Sequence, residues 1–214
     1  MIMNNDPLSS ENAVSYIKKH IHQLNDNLRN ACTDVVRDDR FRLWPASIDK
    51  HHTYVGGLCL HTAEVIEIAL AMASASSVAA SKQVLIVAAV FHDYAKIFDY
   101  EISDQEKYKK IHSHFCKTNV LMGETAGMVW KKSAHRYLVR HPVASYAEWM
   151  RLSFTYNIDE TTKLGISHAI LAHHGRKEWN SPIEPQTIEA QILHQADMLS
   201  SKYGKYRGLY GSDL

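Results

Sequence analysis

An all-α fold, one helical bundle, is what this sequence predicts, and three observations carry the prediction. Apolar residues recur at three- and four-residue spacing in almost every substantial segment, whereas no stretch alternates polar and apolar residues convincingly enough for a sheet. No internal repeat divides the 214 residues, a length that suits one well-cored domain and is short for two. The expected organisation is a single domain over 1–214, with N-terminal helices within 9–45, an insertion or lid at 101–134 and a C-terminal tail at 203–214.

The elements follow in order. Ser9-Ser10-Glu11-Asn12 supplies a serine cap for a first amphipathic helix, in which Val14, Ile17, Ile21, Leu24 and Leu28 keep helical spacing. A short second helix covers Arg29 to Asp38. Pro45 and the Gly56-Gly57 pair then punctuate the chain. The next helix carries Leu58, Val65, Ile66, Ala69 and Met72 on one side and His61 in its first turn. Lys82 to Ala95 is apolar almost all round, which marks a central buried helix with His92-Asp93 near its C-terminal end. Glu101 to Lys132 is polar, basic and poorly periodic, with Gly123 and Gly127, and so reads as the insertion or lid. Pro142 suits the first turn of a helix continued by Ala144, Ala147, Trp149, Met150 and Phe154. A further helix runs from about Thr161 to His174, stopped by Gly175, and the last from Pro185 or Gln186 to Tyr203, stopped by Gly204.

Composition narrows the function. With 24 Lys plus Arg against 23 Asp plus Glu and a pI near 7.8, the chain lacks the global basic field of a dedicated nucleic-acid binder, so any such contact is local. Cys32, Cys59 and Cys116 stand in no paired spacing, which suggests neither a disulfide framework nor a thiolate zinc site and points to a reducing compartment. The polar start from Met1 to Ser10 does not read as a secretory signal. The most apolar run, Val84 to Phe91, is far short of the roughly 20 residues that span a bilayer. The expectation is a soluble cytoplasmic protein with no membrane partner.

Chemistry concentrates in five places: His61, His92-Asp93, His141, His173-His174 and Asp197, each in an otherwise apolar helical setting. Taken singly, a histidine at a helix start is more often a hydrogen-bonded core residue than a ligand, and a His-Asp pair at a helix end is more often a solvated terminus. Asp197 is harder to dismiss. It lies four residues after Leu193 and seven after Ala190, on the apolar stripe of its helix, where an unpaired acid is expensive. Five coincident cases together point to a divalent metal site, because imidazole and carboxylate groups in apolar surroundings need a cation to offset their lost hydration. Metal-assisted hydrolysis is the reaction class this suggests.

The ordered set resembles that of the HD-domain metal-dependent phosphohydrolases, whose His-Asp pair matches His92-Asp93, so that the bundle is expected to be an HD-domain helical bundle. Closer still is the similarity to the C-terminal HD domain of YhaM-type 3'-5' exoribonucleases. It rests on His51-His52-Thr53-Tyr54-Val55-Gly56-Gly57-Leu58 and on the stretch from His173-His174-Gly175-Arg176-Lys177-Glu178-Trp179 to Ala190, and covers roughly residues 14 to 205. Those exonucleases carry an OB-fold domain ahead of the HD domain, for which 214 residues leave no room. The resemblance implies that His61, His92, Asp93 and Asp197 hold one ion, while Asp93, His141 and His173 or His174 hold a second. His135 competes with His141 for its place. Ligands of nitrogen and oxygen without thiolate suit Mn, Fe, Co, Ni or Zn, as one or two divalent ions.

Asp93 and Lys96 are then the expected catalytic residues, with hydrolysis by a metal-bound hydroxide; Lys96 matches the lysine of the family's HD-x-x-K pattern and would bind a phosphate oxygen, though a helix-terminal cation is an equally good reading. Lys96, Arg176, Trp179 and His52 are the expected substrate contacts, Arg176 for phosphate and Trp179 for base stacking. The tail from Lys202 to Tyr210, with Lys205 and Arg207 among Tyr203, Tyr206 and Tyr210, permits stacking beside phosphate contacts. The implied partner is a nucleotide or a single-stranded nucleic-acid end. Two alternatives stand beside this. One is a cyclic-dinucleotide phosphodiesterase, suggested by His141-Pro142 and the paired histidines but lacking that group's Gly-Tyr-Pro signature after His174; the other is a noncatalytic nucleotide-binding module.

Overall fold

A computed structural model of the chain describes residues 10–118 and 126–210. Helices α1 (Ser10–Ile21) and α2 (Asp26–Arg37) open the chain and pack on each other. The apolar stripe expected to run through Leu24 and Leu28 in one helix is broken, because the Asn25 side chain accepts the Leu28 amide at 3.0 Å and caps a new helix there. Asp38 caps the short α3 (Asp39–Leu43) in the same way, through the Arg40 amide. Gly56, at φ 80°, turns the chain into α4 (Gly57–Ala75). A Cβ on Gly57 would lie 2.0 Å from the carbonyl oxygen of His52, so the loop carrying His51-His52 is pressed against the start of α4 at a place only glycine permits. His61 stands in the second turn of α4, not the first.

Helix α5 (Lys82–Phe91), capped by Ser81, ends four residues earlier than its apolar composition suggests. Tight turns over His92 to Ala95, closed by Tyr94 N–H to Phe91 O and Lys96 N–H to Asp93 O, lead into α6 (Lys96–Asp99). The expected lid at 101–134 is more structured than its polarity implies. Strand β1 (Tyr100–Ile102) pairs antiparallel with β2 (Trp130–Lys132), and α7 (Gln105–Thr118) lies between them, held to the body by buried Ile111 and Phe115. Trp130 packs on Trp44 and Tyr108. Residues 119–125, with Gly123, lie outside the described residues.

Helices α8 (His135–Leu138), α9 (His141–Thr155, with Pro142 in its first turn), α10 (Glu160–Ala172, capped by Asp159) and α11 (Ile188–Tyr210) complete the bundle. α11 passes through Gly204 where a stop was expected; a glycine costs a helix about 1 kcal/mol but ends it only where a left-handed residue is needed. Residues 203–210 of the expected tail therefore continue α11, and 211–214 lie outside the described residues. α4 is central, packed on α11, α1 and α5. It also corrects the membrane reading, since its 19 residues are long and apolar enough to cross a bilayer by length and composition. Here that apolarity serves the core, with residues from Gly57 to Ile66 buried and His61 and Glu64 among them.

Candidate metal centre

Asp93 organises the site. It follows His92, the C-cap of α5, and because the helix stops there the two adjacent side chains reach one place instead of diverging by the 100° of a continuing helix. Both Asp93 carboxylate oxygens are buried; Oδ2 pairs with the Lys96 ammonium, while Oδ1 has only imidazoles around it. Oδ2 faces His61 Nε2 of α4 at 3.3 Å, His92 Nε2 at 3.5 Å and Lys96 Nζ at 2.5 Å. Asp197 of α11 closes this half, its Oδ1 3.0 Å from His61 Nε2 and 3.8 Å from His92 Nε2. Oδ1 of Asp93 faces the other way, toward His141 Nε2 at 3.2 Å and His173 Nε2 at 3.7 Å, and His174 Nε2 lies 3.2 Å from His141 Nε2. Five helices, α4, α5, α9, α10 and α11, thus bring the seven expected ligands into two adjoining groups, each compact enough to hold a divalent metal ion, with the Asp93 carboxylate of the first facing the second through Oδ1.

The donor chemistry fits such ions. His92 Nδ1 sits 2.7 Å from Ala89 O, His173 Nδ1 2.6 Å from Ile170 O, His141 Nδ1 3.0 Å from Asp99 Oδ2 and His61 Nδ1 2.8 Å from Ser200 Oγ. Placing each proton on Nδ1 leaves the Nε2 lone pair aimed at the centre, the arrangement a metal-ligating imidazole needs. His173 Nε2 is itself buried without a hydrogen-bond partner. A knot of inward imidazole lone pairs around buried Asp93, whose charge a single ammonium shares on one oxygen only, is costly unless further cations sit among them. His135 does not join it; its Nδ1 is 3.3 Å from Asp99 Oδ1, so Asp99 gathers His135, Arg136 and His141 while only His141 reaches Asp93.

Electrostatics accord with this. Burial alone would raise the pKa of Asp93, but Lys96, His92 and His141 outweigh it and hold the carboxyl well below its usual range. Burial likewise opposes ionisation of Asp197, and the nearby His61 and His92 overcome it. For His61 burial disfavours the charge, yet contacts with Asp197 and Asp93 prevail and lift its pKa to about 9 in the metal-free protein. Burial and neighbouring imidazoles push His173 down strongly and His174 down to about 4, keeping both neutral.

A cleft of about 370 Å³ opens over the second group, with Lys96, His141 and His174 in its floor and Lys50, Arg140 and Trp179 among its walls. Arg140 holds φ 66° at the start of α9 and bonds Asn180 across the cleft. Of the expected substrate contacts, Lys96 and Trp179 line this cleft. Arg176 instead stacks over the Trp179 ring, 5.2 Å from its centroid. His52 is buried and bonded to Glu64, and its neighbour His51 takes the place in the wall. Asp99, Glu64 and Ser200 escaped the sequence reading. Each is a polar residue in an unremarkable local context, and only the three-dimensional pairing gives it meaning.

The sequence matches the family profile described as HD domain over residues 60–202, the span from just before His61 to just beyond Asp197. It is similar to proteins named 3'-5' exoribonuclease YhaM from Listeria welshimeri, Listeria monocytogenes and Listeria innocua, each 25% identical over 202 residues. That alignment takes in 93% of this chain and 56% of each relative, so the chain spans about half the length of the curated relatives it matches. No solved structure matches it. With the profile covering both metal-facing groups and most of the sequence, the chain belongs to the HD-domain family of metal-dependent phosphohydrolases.

Proposed function

We propose that this protein hydrolyses phosphodiester bonds at the 3' end of a single-stranded nucleic acid, an exonuclease-like activity of the kind named in the 3'-5' exoribonuclease YhaM relatives, with two divalent ions held on either side of Asp93. The observation that carries the reading is the division of labour within that carboxylate, each oxygen facing its own set of imidazoles. His61, His92, Asp93 and Asp197 would hold one ion; Asp93, His141 and His173, with His174 beside them, would hold the other. Two such ions supply an activated water and neutralise the phosphate oxygens. Nitrogen and oxygen donors without thiolate suit Mn, Fe, Co, Ni or Zn.

The chain's own residues do the rest. Lys96 pairs with Asp93 at the cleft floor and has further ammonium protons to offer a phosphate oxygen. Lys50, exposed on the wall, has no ion-pair partner among the described residues, and Arg140 opposite it bonds only the neutral Asn180, so both guide an anion inward. Trp179, half-exposed at the rim and held from behind by Arg176, offers a face for a base. The cleft volume is at the lower end of the range for small-molecule sites, about 300–1,000 Å³, which suits one nucleotide unit at a time.

The test is an end-labelled single-stranded RNA incubated with metal-loaded and chelator-stripped protein, beside free nucleotides and a cyclic dinucleotide. Stepwise shortening that depends on metal is expected. Turnover of free nucleotides alone, or cleavage unaffected by chelation, would overturn the substrate assignment.

A further inference from the structure

One buried acid lies outside the ligand set and outside the cleft. Glu64 stands three residues after His61 on α4, is 6% exposed, and is bonded on two sides. Ser200 of α11 donates its hydroxyl to Glu64 Oε2 at 2.7 Å, and His52 Nε2 lies 3.1 Å from the same oxygen. Beyond Ser200 is His61 Nδ1 at 2.8 Å, and beyond His52 is His51, with the two Nδ1 atoms 3.1 Å apart. The result is an unbroken chain, His51–His52–Glu64–Ser200–His61, that starts in the cleft wall and folds back on the metal-facing imidazole, the His51 and His61 rings lying 4.9 Å apart.

Its direction is dictated by its middle. An ionised carboxylate can only accept, so Ser200 spends its single proton on Glu64 and must accept from His61; His61 therefore carries its proton on Nδ1 and presents a bare Nε2 inward. On the other side His52 must donate from Nε2, which makes its Nδ1 an acceptor for a proton on His51 Nδ1. His51, which lines the cleft, is left with a bare Nε2. Without the acid, each of these four groups could hold its proton at the other end.

We propose that Glu64 is a positioning residue that sets the tautomers of His61 and His51 together, thereby fixing the ion at the His61 half of the centre and giving the cleft wall a hydrogen-bond acceptor. This rests on the two-metal reading of the site but not on any substrate. Partners that orient a metal-ligating histidine are worth about 10–100-fold in metal affinity. Removing this one weakens the half containing His61 and leaves the half built on His141, His173 and His174 as it was.

The experiment titrates Zn into Glu64→Gln and Ser200→Ala proteins by calorimetry and records imidazole ¹H–¹⁵N correlation spectra of the Zn-loaded parent and variants. Expected are two binding steps in the parent, one of them weakened about 10–100-fold in each variant, and Nδ1-protonated His61 with Nε2-protonated His52 in the parent, the His52 pattern lost in Glu64→Gln. A variant that fails to fold shifts the test to its companion, and the parent spectrum needs no variant. Unchanged affinities in a folded variant, or His61 protonated on Nε2 in the Zn-loaded parent, overturns the proposal. Failure to cleave RNA would strike only the substrate assignment and leave these readouts intact.

Discussion

Gly175 ends the turn that presents His173 and His174, and its replacement by alanine has a cost that can be worked from geometry. Its φ of 80° is left-handed, a conformation that costs an L-residue about 1–2 kcal/mol. A Cβ there would lie 2.3 Å from His194 Cε1 and 2.4 Å from its Nε2, and that ring is itself buried and anchored by Nδ1 to His173 O at 2.8 Å. Overpacking of this kind costs about 1–3 kcal/mol. The sum, about 2–5 kcal/mol, should lower the melting temperature of a chain this size by about 4–20 °C. Urea denaturation of Gly175→Ala, His194→Ala and the double variant separates the contributions: the clash should vanish in the double variant, giving a coupling of about 1–3 kcal/mol, while the backbone cost stays. A single variant within about 0.5 kcal/mol of the parent, or purely additive effects, would refute the packing argument.

Three further outcomes follow from the site. In metal-free protein the pKa of His61 is raised from about 6.5 when unfolded to about 9 when folded, so the stability it contributes is fully present below pH 6.5 and is lost as pH rises through about 9; melting temperatures should fall across that window without metal and not with it. Lys96→Met should lower kcat by about 10²–10³-fold, as for loss of one preorganised charge donor, with metal content by elemental analysis unchanged; an unaltered kcat would return Lys96 to a structural role. Trp179→Ala should raise KM for single-stranded substrates about 5–150-fold at constant kcat, and equal KM values would place the bases elsewhere.

Much of the site was legible because its ligands are anomalies within their own helices. Asp197 on an apolar stripe and His92-Asp93 at the end of an apolar run each break a periodic pattern, and the break is visible one residue at a time. Glu64 was invisible for the opposite reason. A glutamate in a helix is ordinary, and its meaning comes from Ser200, 136 residues away. Asp99 is similar, since the turns after Phe91 end the periodicity that could have tied it to Asp93 and His141. Helix positions were legible where apolar spacing was strong, as in α9, and were misplaced where local hydrogen bonding overrode composition, as in the turns that end α5 after Phe91 and at Asn25 between α1 and α2. In α7 only Ile111 and Phe115 mark the buried face among polar residues, too little to distinguish a helix from a polar loop.

The central claim is that one buried carboxylate serves two cations, and anomalous diffraction from crystals grown with Mn tests it most directly. Two peaks about 3.5–4 Å apart, one on each side of Asp93, are predicted, with at most one surviving in Asp93→Asn. A single peak in the parent, or peaks remote from Asp93, would contradict it.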